Sequence, residues 1–248
     1  MAHGHKILPQ FLIMALEKSQ EFEDISQLGQ WLDENLPYPS PVSRKRAVDY
    51  ILRILELKGK GRGIKRHPLA RLQGYLTDDK TKRELAYWQV IKNFPYLSDF
   101  ASFLSENIER GKVSRQEAKD FLYSLMHKQS KDTFDSLLFL LDKFGFIIRD
   151  RKYISLKFYT PSSIAFSFAL CEDMLRERKI TIDLGEISKE RVPRVFFMNN
   201  QRVLSVLENE NKLWQIERRP PHNRILLLVS SLDDVVNILI RRLNHSER

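Results

Sequence analysis

Basic side chains at the head of a predicted helix, continued by others spaced with glycine, give this sequence its most distinctive chemistry, the neutralisation of phosphate charge. Arg44, Lys45 and Arg46 open the run, and Lys58, Lys60, Arg62, Lys65 and Arg66 extend it through a segment with glycines at 59, 61 and 63. From Ser43 to Arg71 ten basic residues stand against Asp49 and Glu56, so a net +8 of the chain's +9 sits within 29 residues. A polyanion or an acidic surface is the partner such a concentration of charge selects. The helix is expected to start at Ser43, where the macrodipole disfavours cations. Phosphates and base edges would favour them, because arginine can bond guanine through two hydrogen bonds. A solvated helix start, tolerated at small cost, is the alternative.

A second set lies later in the chain. Asn200, Gln201 and Arg202 open a predicted helix after Asn199, and amides pair with adenine as arginine pairs with guanine. Arg218, Arg219, His222 and Arg224 surround a predicted hairpin turn. Helix capping by Asn199 and a solvated loop explain the same residues without any ligand.

Catalytic constellations are not found. Asp183, Glu186 and Lys189 lack the spacing that holds a metal and a lysine together on one strand. No nucleophile elbow, dinucleotide-binding glycine pattern, P-loop or zinc His-Glu-x-x-His occurs. Cys171 is the one cysteine, so neither an intrachain disulfide nor a cysteine-rich zinc site can form, and it lies beside Phe166, Phe168 and Leu170, as a buried thiol would. The histidines are scattered apart from His3 and His5. No catalytic residue, metal or cofactor is expected, and the chain reads as a non-enzyme.

The elements that must position these residues are mostly helices. Phe11 to Phe22 and Ile25 to Leu36 carry helical periodicity, and Pro37 to Pro41 must interrupt it. After Ser43, Ala47, Val48, Ile51, Ile54 and Leu55 make one apolar face. Helices follow over Lys80 to Phe94 and Leu97 to Arg110, with a turn at Gly111, then one capped by Ser114 with Glu117 at the capping-box spacing. A helix from about Ser130 buries Phe134, Leu137, Leu138, Leu141 and Phe144 and stops at Gly145. Phe146 to Ile148 and Tyr153 to Leu156 flank the turn Arg149 to Lys152 as a β-hairpin. The order then repeats, with helices over Ser162 to Arg178, about Ile187 to Arg191, and Asn199 to Glu208. A hairpin of Leu213 to Glu217 with Arg224 to Val229 follows, and a closing helix starts at Ser231.

Helices followed by a hairpin resemble the winged helix-turn-helix superfamily, on the stretch Lys131 to Ile148 most closely, over about Pro95 to Leu156 well and over Ser162 to Val229 more loosely. The resemblance implies a mainly α fold with small β-hairpin wings in tandem winged-helix-like modules. We place these at 1–77, a helix-turn-helix-like module with a basic loop; at 78–159, a winged-helix-like module; and at 160–248, a second one with a C-terminal helix. Such modules read DNA or bind proteins. The helix from Lys131 suits the second role, since Asp132, Asp135 and Asp142 repel phosphates and Phe139 and Leu140 suggest burial against a partner. The basic segment vaguely resembles an AT-hook-like arm, without that motif's Arg-Gly-Arg-Pro core.

With 42% apolar residues the chain can build cores, and no apolar run approaches the ~20 residues of a membrane span. The N-terminus shows no cleavage site, so no export signal is expected and the location reads as cytoplasmic, nucleoid-associated if DNA is bound. The expectation is a double-stranded DNA-binding protein, either a transcriptional regulator or a DNA-recruiting subunit of a DNA-processing or defence assembly. Other protein subunits and a homodimer stay open as partners. Two alternatives remain: an adaptor or assembly subunit whose winged helices bind proteins, and RNA binding through the basic arm.

Overall fold

Proline and capping residues set the helix starts in the first part of the chain. The structure, a computed structural model, describes residues 9–57, 67–127, 131–208, 212–219 and 222–246. Helix α1 is described over Pro9–Lys18, and helices α3 (Pro41–Ile54) and α4 (Pro68–Gln73) each begin on proline, whose missing N–H costs nothing at a position without an intrahelical partner. Helix α2 (Ile25–Asn35) is capped by Asp24, which accepts from the Ser26 N–H at 2.8 Å. Helix α5 (Asp79–Asn93) is buried from Leu85 to Ile91 without interruption, as a central helix must be. Its charges are met at the ends, Lys82 by Glu17 and Lys92 by Glu56, each at 2.7 Å.

The chain divides into two compact units, one of Met1–Asn93 with Val236–Arg248, the other of Phe94–Val235. Residues 78–93, grouped by composition with the second module, thus lie in the first unit, as does most of the last helix.

Within the second unit the order helix, strand, helix, helix, hairpin occurs twice, with a 3₁₀ turn before the first strand in one half and after it in the other. First come α6 (Pro95–Glu106), a 3₁₀ turn (Ile108–Arg110), β1 (Lys112–Ser114), α7 (Arg115–Met126), α8 (Lys131–Phe144), β2 (Ile147–Arg149) and β3 (Tyr153–Leu156). Then come α9 (Ser163–Glu177), β4 (Thr181–Asp183), a 3₁₀ turn (Ile187–Lys189), α10 (Arg191–Val195), α11 (Asn200–Leu207), β5 (Trp214–Arg219) and β6 (His222–Leu227). Helix α12 (Leu232–Ser246) closes the chain, with Ser231 accepting from the Asp234 N–H at 3.2 Å. The fold is mainly α with two small three-stranded antiparallel sheets, ordered β1-β3-β2 and β4-β6-β5. No helix among the described residues is long and apolar enough to cross a membrane.

Both hairpins follow from the sequence, whereas the third strand of each sheet does not. Three residues are too few to show a period, and β1 and β4 exist because β3 and β6 offer them an open edge, with Val113 opposite Ile154 and Ile182 opposite Ile225. Gly111 and Gly145 take positive φ (66° and 85°) where the helices before them stop. Ser114 accepts from the Glu117 N–H at 3.0 Å, and the Glu117 carboxylate, held below its ordinary value chiefly by Arg110 at 2.7 Å, also takes the Ser114 backbone N–H, the reciprocal contact of the expected capping box.

The two halves of the second unit share one aromatic cluster. Phe146 lies 4.6 Å from Tyr159 and 5.6 Å from Phe197, ring centre to ring centre, with Phe196 at 6.1 Å. Beside it Arg191 on α10 reaches Ser98 on α6 (3.2 Å) and Asp173 on α9 (3.3 Å). Burial holds the Asp173 carboxyl above its ordinary value of 3.8, against the pull of Arg191, and burial lowers Arg191 as well. Desolvation thus outweighs attraction in this pair, which fixes position more than it adds stability.

The folded chain binds the Asp173 proton more tightly than the unfolded chain, so ionisation costs stability as pH rises from 3.8 through the raised folded value. Asp173→Asn is expected to remove that part of the pH dependence in urea unfolding followed by circular dichroism; a profile parallel to the wild type's contradicts it. Arg178, an exposed residue past the end of α9, holds φ 56°. Arg178→Gly relieves that conformation and is expected to raise the unfolding free energy by about 1 kcal/mol, read from the urea midpoint; an unchanged or lower midpoint contradicts it.

Candidate nucleic-acid interface

Helix α3 starts two residues earlier than expected, at Pro41 with Ser40 as N-cap, the Ser40 hydroxyl accepting from the Ser43 N–H at 3.4 Å. The cause is that proline is accepted at the first helical position, so Pro41 ends the interruption and begins the helix. Lys45 and Arg46 consequently lie beyond the first turn, where the macrodipole penalty has faded. Their placement needs no special compensation, and what marks them is exposure.

Arg44 is different from its neighbours. Its Nη1 donates to the Tyr38 carbonyl at 2.9 Å and its Nε lies 3.8 Å from Asp33 of α2. It holds the turn between the two helices, which is a positioning role. Ala47, Val48, Ile51, Ile54 and Leu55 form the buried face as expected. Opposite, Val42, Arg46, Asp49 and Arg53 make one exposed stripe at helical spacing, with Lys45 beside it. Arg53 lies 5.1 Å over the Tyr50 ring, and burial pushes the Tyr50 hydroxyl up to about 12.

Lys58, Lys60, Arg62, Lys65 and Arg66 lie outside the described residues. In the second unit, Asn199 caps α11 by accepting from the Arg202 N–H at 3.0 Å. Asn200 accepts from the Ser188 N–H at 3.0 Å. The Arg202 guanidinium lies 5.0 Å over Phe158 and donates to the Tyr159 carbonyl at 3.2 Å. These side chains hold α11 in its unit, and Gln201 alone of the three faces solvent. On the hairpin, Arg218 pairs with Glu208 and Arg224 with its cross-strand partner Glu217 at 2.6 Å. Arg219 sits in β5 in register with His222.

Three basic residues that the sequence reading passed over come together at the first hairpin. Arg115 at the head of α7, Arg149 at the end of β2 and Arg151 in the following turn line one open pocket with Asp142 and Asp150. Two of the three acids that argued against α8 are engaged, Asp135 by Arg115 at 2.7 Å and Asp142 by Arg149 at 3.0 Å. Arg149 also covers Phe139, at 5.6 Å from its ring centre. The signal in the sequence is the turn Arg149-Asp150-Arg151-Lys152; nothing in it indicates that Arg115 joins them.

The remaining residues with chemistry to offer turn to local partners. Asp183 accepts from the Gly185 N–H at 2.7 Å and Glu186 pairs with Lys189 at 2.5 Å. Cys171 is fully buried on α9, and burial pushes its thiol well above the usual range.

No family model matches this sequence, and no curated protein is similar to it. A solved structure of a protein named SspB is similar in fold, with a TM-score of 0.62 at 11% sequence identity over 96% of this chain and 86% of that one. At that identity the likeness is one of fold alone.

Proposed function

We propose that this protein binds double-stranded DNA, with the exposed face of α3 as its principal contact. The observation that carries the reading is the placement of Lys45 and Arg46. Both are exposed one turn into a helix whose other face is wholly buried and whose entry is fixed by Ser40, Pro41 and Arg44. The basic segment follows the same helix in sequence and would extend the contact along the backbone. In this reading Arg46 would contact a base edge and Lys45 would neutralise phosphate.

The second unit supports the same reading. Each half runs helix, strand, helix, helix, hairpin, with the first strand beside the last, which is the arrangement a winged helix-turn-helix requires. Its role would be transcriptional control or recruitment of a DNA-processing or defence assembly, in the cytoplasm and on the nucleoid. A protein-binding adaptor is the second reading, favoured by the outer face of the first sheet, where Ile148 and Tyr153 are 58% and 42% exposed.

The test is fluorescence anisotropy of a labelled random duplex across a salt series. Lys45→Ala with Arg46→Ala is expected to weaken binding and to lower the slope of log affinity against log salt by about 2. Arg44→Ala is expected to lower thermal stability through the loosened turn. No binding by folded protein at low salt contradicts DNA binding and leaves the adaptor reading.

A further inference from the structure

The pocket at the first hairpin measures about 440 Å³ and is lined by Arg115, Asp142, Arg149, Asp150 and Arg151. By count the lining carries three positive charges against two negative, which would pass for an ordinary surface network. The geometry separates it from one. Arg115 and Arg149 are each held twice: Arg115 by Asp135 and the Phe134 face at 5.3 Å, Arg149 by Asp142 and the Phe139 face. Ring and carboxylate together fix the plane of each guanidinium before any ligand arrives. Arg115 and Arg149 each meet their acid through Nη2, and a guanidinium has five N–H donors in a rigid fork, so donors remain for a further acceptor. Arg151 is exposed and forms no ion pair among the described residues.

The walls of the pocket are joined through the backbone. The Arg115 N–H donates to the Lys152 carbonyl at 2.9 Å and the Asp150 N–H to the Tyr153 carbonyl at 3.0 Å, tying the hairpin turn to the head of α7. Asp135 and Asp142, which weigh against phosphate when α8 is considered alone, serve as counter-ions that orient the arginines.

We propose that this pocket binds a phosphate group, bridged by the remaining donors of Arg115 and Arg149 and closed by Arg151. Several planar donor forks lining one pocket suit a tetrahedral oxyanion, whose oxygens can each take a donor, better than a single carboxylate. The nucleic-acid backbone is the source of that phosphate, a step that rests on the reading above. The second unit then adds its own contact to the duplex, apart from α3. Asp150 is the opposing element, a carboxylate in the lining without an ion-pair partner among the described residues.

The test has two arms on the full chain. In the first, inorganic phosphate is titrated in while the arginine Nε–Hε resonances are followed by NMR. Saturable shifts are expected at Arg115 and Arg149, and Arg151→Gln is expected to abolish or strongly weaken them. In the second, duplex binding is measured across salt, where Arg151→Gln is expected to lower the slope by about 1 and Asp150→Asn to tighten binding several-fold. Tightening on removal of an acid is a result that a merely structural role would not give. Phosphate shifts without any duplex binding by the wild type support the pocket and remove nucleic acid as its source. No saturable shift, with the duplex slope untouched by Arg151→Gln, overturns the proposal while binding through α3 stands.

Discussion

Phe146 is the side chain on which the second unit depends. It follows the glycine that stops α8, precedes β2, and is 1% exposed among Tyr159, Phe196 and Phe197. Each half of the unit joins its helices to strands of only three to six residues, and a core of that size gains from apolar surface shared with its neighbour. Sharing the rings makes the two halves one body. The cost is visible at Phe197, an aromatic residue at φ 56°, a conformation that costs about 1–2 kcal/mol and persists where packing over-determines it. Arg191 and Arg194 reinforce the join by reaching Ser98 and Glu106 on α6.

A second constraint governs where the basic residues go. Many of the arginines that sequence alone would offer to a ligand are used by the protein: Arg44 on a turn carbonyl, Arg202 on Phe158 and Tyr159, Arg224 on Glu217. Among the described residues, Lys45 and Arg46 on α3 and the arginines around the first hairpin keep donors for a partner. An arginine spent on one acid through one nitrogen still carries donors, so engagement and availability are separate questions at Arg115 and Arg149.

The helices and hairpins were legible because their signals are local. Apolar residues at helical spacing, prolines, serine caps and the glycines at 111 and 145 each act within a few residues of themselves. Helix α3 starts two residues before the position its sequence predicts, because Pro41 both interrupts the preceding helix and opens the next one. Strands β1 and β4 were hidden, since three residues carry no period and their existence depends on partners about 40 residues away. The same distance hid the meeting of Arg115 with Arg149 and Arg151. Composition marked residues 78–93 as a new beginning, whereas burial from Leu85 to Ile91 makes that helix a centre of the first unit. Of the site, the basic stretch was plain from charge alone, but which of its residues hold the fold and which face outward required coordinates.

The central claim is that the exposed face of α3 meets DNA, and Val42 offers the most direct probe of it. It is 61% exposed at the head of that face and one turn from Arg46, and its side chain carries no charge that binding would need. A photoreactive benzoylphenylalanine at position 42 is predicted to crosslink to a labelled duplex at low salt, and to lose the crosslink as salt rises. A folded protein that gives no crosslink to DNA under those conditions contradicts the claim.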